Sequence, residues 1–273
     1  MKITVDDIEL ELLVGADPEI FVSKNNKLIS AHGLVKGSKD SPYKVPKGAI
    51  QVDGMALEFN IEPAKNAQEF KDNVKEVMKQ LQSHMPKDYS LEVQATADFG
   101  KEYIDSQPLV AKELGCSSDM NAYTGKDNPK PNAEVPFRTA AGHLHLGWTD
   151  TADIKDPEHL ELCCGLTKVL DLYLGTHSVF KDPDVKRRSL YGAAGAFRPK
   201  SYGLEYRVLS NFWLKSDDEI KWAYDQVVKA VTEYLKGFRV EESLGLKITK
   251  GINNSDKQLL VKTLNEVGIQ HGL

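Results

Sequence analysis

Hydrophobic and polar residues alternate through much of the first hundred positions, and a period of two puts successive side chains on opposite faces of a strand. Ile8, Leu10, Leu12 and Val14 alternate with polar partners, predicting a strand. Glu19 to Ser23 and Leu28 to Ala31 flank an Asn25-Asn26 turn, the pattern of a hairpin. A loop rich in Gly, Lys and Ser (His32 to Gly48) leads to Gln51-Val52-Asp53-Gly54, which turns into a strand expected from Met55 to Glu62. Then the period lengthens. Asn66 and Glu69 have capping-box spacing, and Phe70, Val74, Val77, Met78 and Leu81 mark one helical stripe. Tyr89 to Phe99 returns to alternation.

The second half mixes the two periods. From Cys116 to Pro136 the chain is polar and broken by Asn121, Gly125, Asn128, Pro129, Pro131 and Asn132, which predicts a loop of lid or substrate-loop length or a mobile insertion. Arg138 to Trp148 reads as a buried strand carrying His143 and His145. Asp156-Pro157 supplies an N-cap and a first-turn proline for a long helix through Leu160, Cys164, Leu170 and Leu174. After a glycine-rich stretch (Tyr191 to Ala196), a strand is expected from Gly203 to Leu214. Ser216 with Glu219 caps a helix whose stripe includes Ile220, Tyr224, Val227, Val231 and Leu235, and a shorter helix follows near Ser255 to Val267. No repeat or domain boundary is visible. The expected class is α+β, with helices on one face of an antiparallel sheet, in a single domain over 1–273 whose residues 216–273 form a C-terminal helical extension.

Composition narrows the function classes. The 273 residues are 41% hydrophobic and 27% charged, as in a soluble globular protein. A formal charge of −5 argues against nucleic-acid wrapping but leaves nucleotides open, because a few arginines suffice for them. No apolar run approaches the roughly 20 residues that span a bilayer, and Met1-Lys2-Ile3 does not begin a signal peptide, so a cytoplasmic protein is expected. Cys116, Cys163 and Cys164 form no Cys-x-x-Cys pair and are given no role; the latter two read as small buried helix residues.

The chemistry sits in a few short patterns. Asp17-Pro18-Glu19, Glu58 with Glu62, Gly142-His143-Leu144-His145-Leu146-Gly147 and Glu205-Tyr206-Arg207 each space polar side chains so that they share one face of a strand. Together they offer oxygen and nitrogen ligands suited to Mg²⁺ or Mn²⁺ holding a nucleotide's phosphates. Each pattern also has a plainer reading. Alternating carboxylates are usually a solvated strand face, paired histidines are often satisfied by backbone, and Asp53 before Gly54 reads as a turn residue that could also reach a metal. Arg187, Arg188, Arg198 and Arg207 are guanidiniums fitted to phosphate or carboxylate, with Arg187 and Arg188 expected to be solvated. His32, His84, His159, His177 and His271 have no comparable companions.

In this order, Gly15-Ala16-Asp17-Pro18-Glu19, Asp53-Gly54 with Leu57-Glu58-Phe59, the Gly142 to Gly147 run and Leu204-Glu205-Tyr206-Arg207 resemble the carboxylate–amine ligases of the glutamine synthetase and glutamate–cysteine ligase superfamily, in particular the phage-type group. The resemblance covers about residues 15 to 213. It implies a curved antiparallel sheet backed by helices, with ATP and Mg²⁺ (or Mn²⁺) in its concave face. It also implies metal ligands at Asp17, Glu19, Asp53, Glu58, His143 and Glu205, and a nucleotide contact at His145. Arg207 and Arg198 would contact phosphate, and Arg207, Arg198 and Glu58 would act in catalysis. The chain departs from the pattern at Asp17, where glutamate is more usual, and at Pro18; Asp53 and Glu62 stay open as partners of Glu58. The implied reaction is ATP-dependent joining of a small-molecule or peptide carboxylate to an amine through an acyl phosphate, in the host cytoplasm for a phage-encoded member. The alternatives are a phosphagen-kinase-like phosphotransferase, a metal-dependent hydrolase built on the two histidines, and a non-catalytic nucleotide-binding relative.

Overall fold

Two antiparallel sheets meet where the chain passes from Ala16 through Asp17 and Pro18 to Glu19 in the computed structural model, which describes residues 1–112, 119–131 and 134–270. The first sheet runs, in spatial order, Lys126–Asp127, Met120–Asn121, Ala196–Lys200, Gly203–Tyr206, Leu144–Gly147 and Leu13–Ala16. The second runs Lys27–Ile29, Glu19–Lys24, Ala56–Ile61, Gly48–Asp53 and Tyr43–Val45, with Tyr89–Glu92 also paired to Glu19–Lys24. Pro18 has no N–H to give, yet the crossing stays tied down. Asp17 and Glu19 donate their N–H groups to the carbonyls of His143 and Ala141, and Phe59 N–H donates to the Pro18 carbonyl.

Strand alternation sorts the side chains. Leu144, Leu146, Leu204 and Tyr206 are buried toward the helices, and His145 and Glu205, the residues between them, project to the other face. The helix Pro157–Leu170 packs on the Ala196–Lys200 and Gly203–Tyr206 strands, and Ala67–His84 on Gly48–Asp53 and Ala56–Ile61. Asp217–Leu235 packs against both helices. The helix starts follow the sequence: Asn66 accepts from Glu69 N–H, Ser216 from Glu219 N–H, and Asp156 from Glu158 N–H ahead of Pro157. After Leu170 the helix widens into a π turn, Asp171–Gly175, before Thr176–Lys181. The α+β class is as expected.

Several elements differ from the sequence reading. The Ile8 to Val14 alternation divides into Ile8–Glu11, which pairs with Lys2–Val5 in a separate hairpin, and Leu13–Ala16 of the first sheet. Tyr89 to Phe99 likewise divides into Tyr89–Glu92 and Thr96–Asp98, which belong to different sheets. Arg138 to Trp148 is two short strands, Phe137–Thr139 and Leu144–Gly147, because the intervening backbone pairs instead with Glu19 and Leu209. The strand from Gly203 ends at Tyr206, and a 3₁₀ turn, Asn211–Lys215, buries Phe212 and Trp213. Ala196–Lys200 is a strand despite Pro199, and Glu242–Asn253 is a further helix. The 116–136 loop contains a small hairpin, Met120–Asn121 with Lys126–Asp127, at the sheet edge, while Cys116, Asn132 and His271 lie outside the described residues. Residues beyond 216 supply Ile220, Tyr224, Val227, Ile248 and Leu264 to the same core as the sheets.

Candidate functional site

The sheet junction collects the polar residues that the sequence marked, in two groups. Asp17, His145 and Glu205 present ligand atoms within 4.8 Å of one another, and so do Glu19, Asp53 and Glu58. Asp17 ends one strand and Glu19 begins the next, so the two-residue crossing gives one carboxylate to each group. His145 pairs with Glu205 across the first sheet, and Glu19 with Glu58 across the second. Asp53 reaches the second group from a turn that Gly54 allows with φ 58°. Glu62 lies elsewhere. It is exposed, 3.6 Å from Lys47, so the geometry selects Asp53 as the neighbour of Glu58.

The first group is surrounded by cationic and imidazole groups. His145 Nε2 is 2.9 Å from Asp17 Oδ1, and its Nδ1 is 2.5 Å from the Tyr202 hydroxyl. His143 is 95% buried; its Nδ1 lies 3.3 Å from Asp17 and 3.5 Å from Glu205, and its Nε2 faces Tyr191. His145, rather than His143, shares with Asp17 and Glu205 a set of ligand atoms all within 4.8 Å of one another. Glu205, 1% exposed, is approached by Lys200 at 2.8 Å, by Arg198 at 3.2 Å, and by Arg207. Burial alone would raise the Asp17 carboxyl, but His145 and His143 override it and hold it well below its usual range. Burial also works against a charged His145, yet neighbouring Asp17 raises its pKa; burial and nearby Arg207 lower that of His143.

The second group is all carboxylate. Burial, and then the charge of Asp53, push Glu19 from 4.5 to about 7, although Ala141 N–H donates to Glu19 Oε2 at 2.8 Å. Burial, followed by Asp17, Glu19 and Asp53, pushes Glu58 well above its usual value. Three carboxylates held together in this way offer hard oxygen ligands, and the pull of Arg207 on Glu19 does not offset their burial and mutual repulsion, which fits Mg²⁺ or Mn²⁺. A cavity of about 490 Å³ opens beside both groups, lined by Asp17, Glu58 and His145 with Leu13, Trp148 and Tyr202.

Other residues at the site carried no sequence signal of their own. Asp119 pairs with Arg207 Nε at 3.1 Å, from a segment read as loop. Lys200 stands two positions from Arg198 on a strand that Pro199 concealed. Tyr191 ends the helix Val185–Leu190 and touches both His143 and Arg207. Arg187 and Arg188, expected to be solvated, are buried: Arg187 donates to the carbonyls of Val208 and Leu209, and Arg188 to Asp184 O and Ser255 Oγ. Burial lowers Arg187 to about 10.

Residues 136–270, close to half of the chain, match the family described as phage phiEco32-like COOH·NH₂ ligase, type 2. This segment is similar to that family of phage-type carboxylate–amine ligases. It contains His143, His145, Arg198, Glu205 and Arg207, and it runs through the C-terminal helices that the resemblance had left unmatched. Asp17, Glu19, Asp53 and Glu58 lie before it. No curated protein matches the chain. Among solved structures, one described as a novel glutamine synthase homolog is similar at 12% identity and a TM-score of 0.42, over 93% of this chain. The chain spans 65% of that protein's length. No described helix is long and apolar enough to cross a membrane.

Proposed function

We propose that this protein is an ATP- and Mg²⁺-dependent carboxylate–amine ligase that forms an amide or isopeptide bond through an acyl phosphate. One observation carries the reading: a carboxylate triad short of positive charge lies beside a histidine–carboxylate triad ringed by Arg198, Lys200 and Arg207. The first calls for hard cations and the second for phosphate oxygens. Asp17, Glu19, Asp53, Glu58, His145 and Glu205 would hold the divalent cations, whose positive charge would offset that of the phosphates.

The rest is work for the chain's own residues. The substrate carboxylate attacks the γ-phosphorus of ATP and ADP leaves; the amine then attacks the acyl carbon, phosphate departs, and the nitrogen loses a proton. Arg207 and Arg198 steady the phosphoryl oxygens during both steps, as donors fixed in place before reaction. The nucleoside occupies the cavity beside His145, where Trp148 and Tyr202 supply aromatic walls.

Incubation with ATP, Mg²⁺ and pooled amino acids, polyamines and peptides, read by mass spectrometry, tests the proposal. A condensed product formed together with ADP supports it. A stable phosphorylated product would assign a phosphotransferase instead, and ATP binding without turnover a non-catalytic relative.

A further inference from the structure

Three side chains hold the Arg207 guanidinium, one on each nitrogen. Asp119 accepts from Nε, Glu205 from Nη1 and the Tyr191 hydroxyl from Nη2. The same hydroxyl lies 3.2 Å from His143 Nε2, and the guanidinium stands 5.3 Å from the centre of the Tyr191 ring. Tyr191 thus links the arginine of the Glu205 strand to the first histidine of the pair, and it is the one neutral partner among the three.

The position of the tyrosine is fixed from behind. Tyr191 caps the helix Val185–Leu190 through its N–H to Arg187 O, and the chain then folds back over the Arg187 guanidinium at Gly192, with φ 74°. A Cβ on residue 192 would sit 2.4 Å from Arg187 Nη1, so a side chain there would push the guanidinium aside as well as strain the backbone. Arg187 donates to the carbonyls of Val208 and Leu209, just after Arg207. Leu209 O also accepts from Gly142 N–H, just before His143. Tyr191, Arg207 and His143 therefore hang from one knot of backbone.

We infer that Tyr191 is a positioning residue, whose hydroxyl sets the plane of the Arg207 guanidinium and the tilt of His143. An anionic oxygen arriving at Nη2 displaces a neutral hydroxyl rather than a carboxylate, so the arginine is aimed without being blocked. Acting on turnover, this role rests on the ligase reading; as a statement about Arg207 it stands apart from it.

Tyr191→Phe keeps the ring and removes the hydroxyl. NMR of the arginine side chains needs no ligand: slowly rotating, resolved Nη–H signals of Arg207 in the wild type should collapse in the variant, and signals that do not change overturn the inference. ATP turnover with Mg²⁺ should fall roughly tenfold, as for a lost hydrogen bond to a charged group, with the KM for ATP unchanged and the protein still folded at the assay temperature. In an Arg207→Lys background the same substitution should cost little. Equal losses in both backgrounds would make Tyr191 a structural residue only. A wild type that does not turn over ATP ends the ligase reading, and the NMR result then still decides the role of Tyr191.

Discussion

The two triads at the sheet junction are built from similar side chains and differ in what surrounds them. Asp17, His145 and Glu205 sit among the His143 imidazole, Lys200, Arg198 and Arg207, and Asp17 stays ionised far below neutral pH. Glu19, Asp53 and Glu58 face mainly one another, and Glu19 and Glu58 hold their protons to higher pH than free carboxylates do. A carboxylate group of this kind costs stability when ionised and recovers it when a cation binds, whereas a balanced group holds the site together without one. The fold thus separates a charge-balanced half from a carboxylate half that, under the proposed function, a cation would complete.

The largest effect should come from the balanced half. Glu205→Gln leaves Lys200, Arg198 and Arg207 without their shared buried carboxylate, and breaking such a pair costs about 3–5 kcal/mol. Thermal melting should drop sharply and ligation should vanish. A variant with wild-type melting would show that Glu205 is not the anchor of these cations.

Next comes Arg207→Lys, which keeps the charge and loses the planar donors. Turnover should fall by roughly 10², in kcat more than in KM. A raised KM for the carboxylate with normal kcat would make Arg207 a substrate contact instead.

The carboxylate half predicts a pH dependence with a definite sign. Folded Glu19 binds its proton up to about 7, against a usual value of 4.5, so between those values the native state holds more protons than the unfolded chain. Stability of the EDTA-treated protein should therefore fall as pH rises through this window, and Glu58, raised by burial and by the neighbouring carboxylates, contributes in the same direction. Adding Mg²⁺ should flatten the slope, with melting at a series of pH values as the check. A slope that ignores Mg²⁺ would separate the triad from metal binding. By the same logic Glu58→Gln should raise the melting temperature without metal while weakening Mn²⁺ binding in calorimetry. The smallest effect belongs to Glu62→Gln, within about 0.5 kcal/mol and with activity retained, since Glu62 is exposed against Lys47.

What could be read from sequence was local in origin. The Asn25-Asn26 turn is realised with φ of 51° and 61°, and the Asn66 and Ser216 caps form as their spacing predicts. The i, i+2 patterns at Asp17, His143 and Glu205 were visible as motifs, although Pro18 sends Asp17 and Glu19 to different triads and His143 and Arg207 fall just outside their strands. Asp119, Lys200 and Tyr191 were not visible, since their relation to the site depends on pairing across long sequence distances. Arg187 and Arg188 misled for a related reason: an arginine is buried when backbone carbonyls happen to wait for it, and those of Val208 and Leu209 are about twenty residues away. Strand lengths were overestimated wherever, as at Leu12 and at 140–143, the chain leaves one sheet for another partner.

The Asp17-Pro18-Glu19 crossing has one more consequence. Two extended residues advance the chain by about 6.6 Å, and the proline ring locks one of the few torsions that could change that span. The separation between the two triads is therefore measured out by covalent bonds, as on a ruler, and vibration of one sheet against the other has little leverage on it.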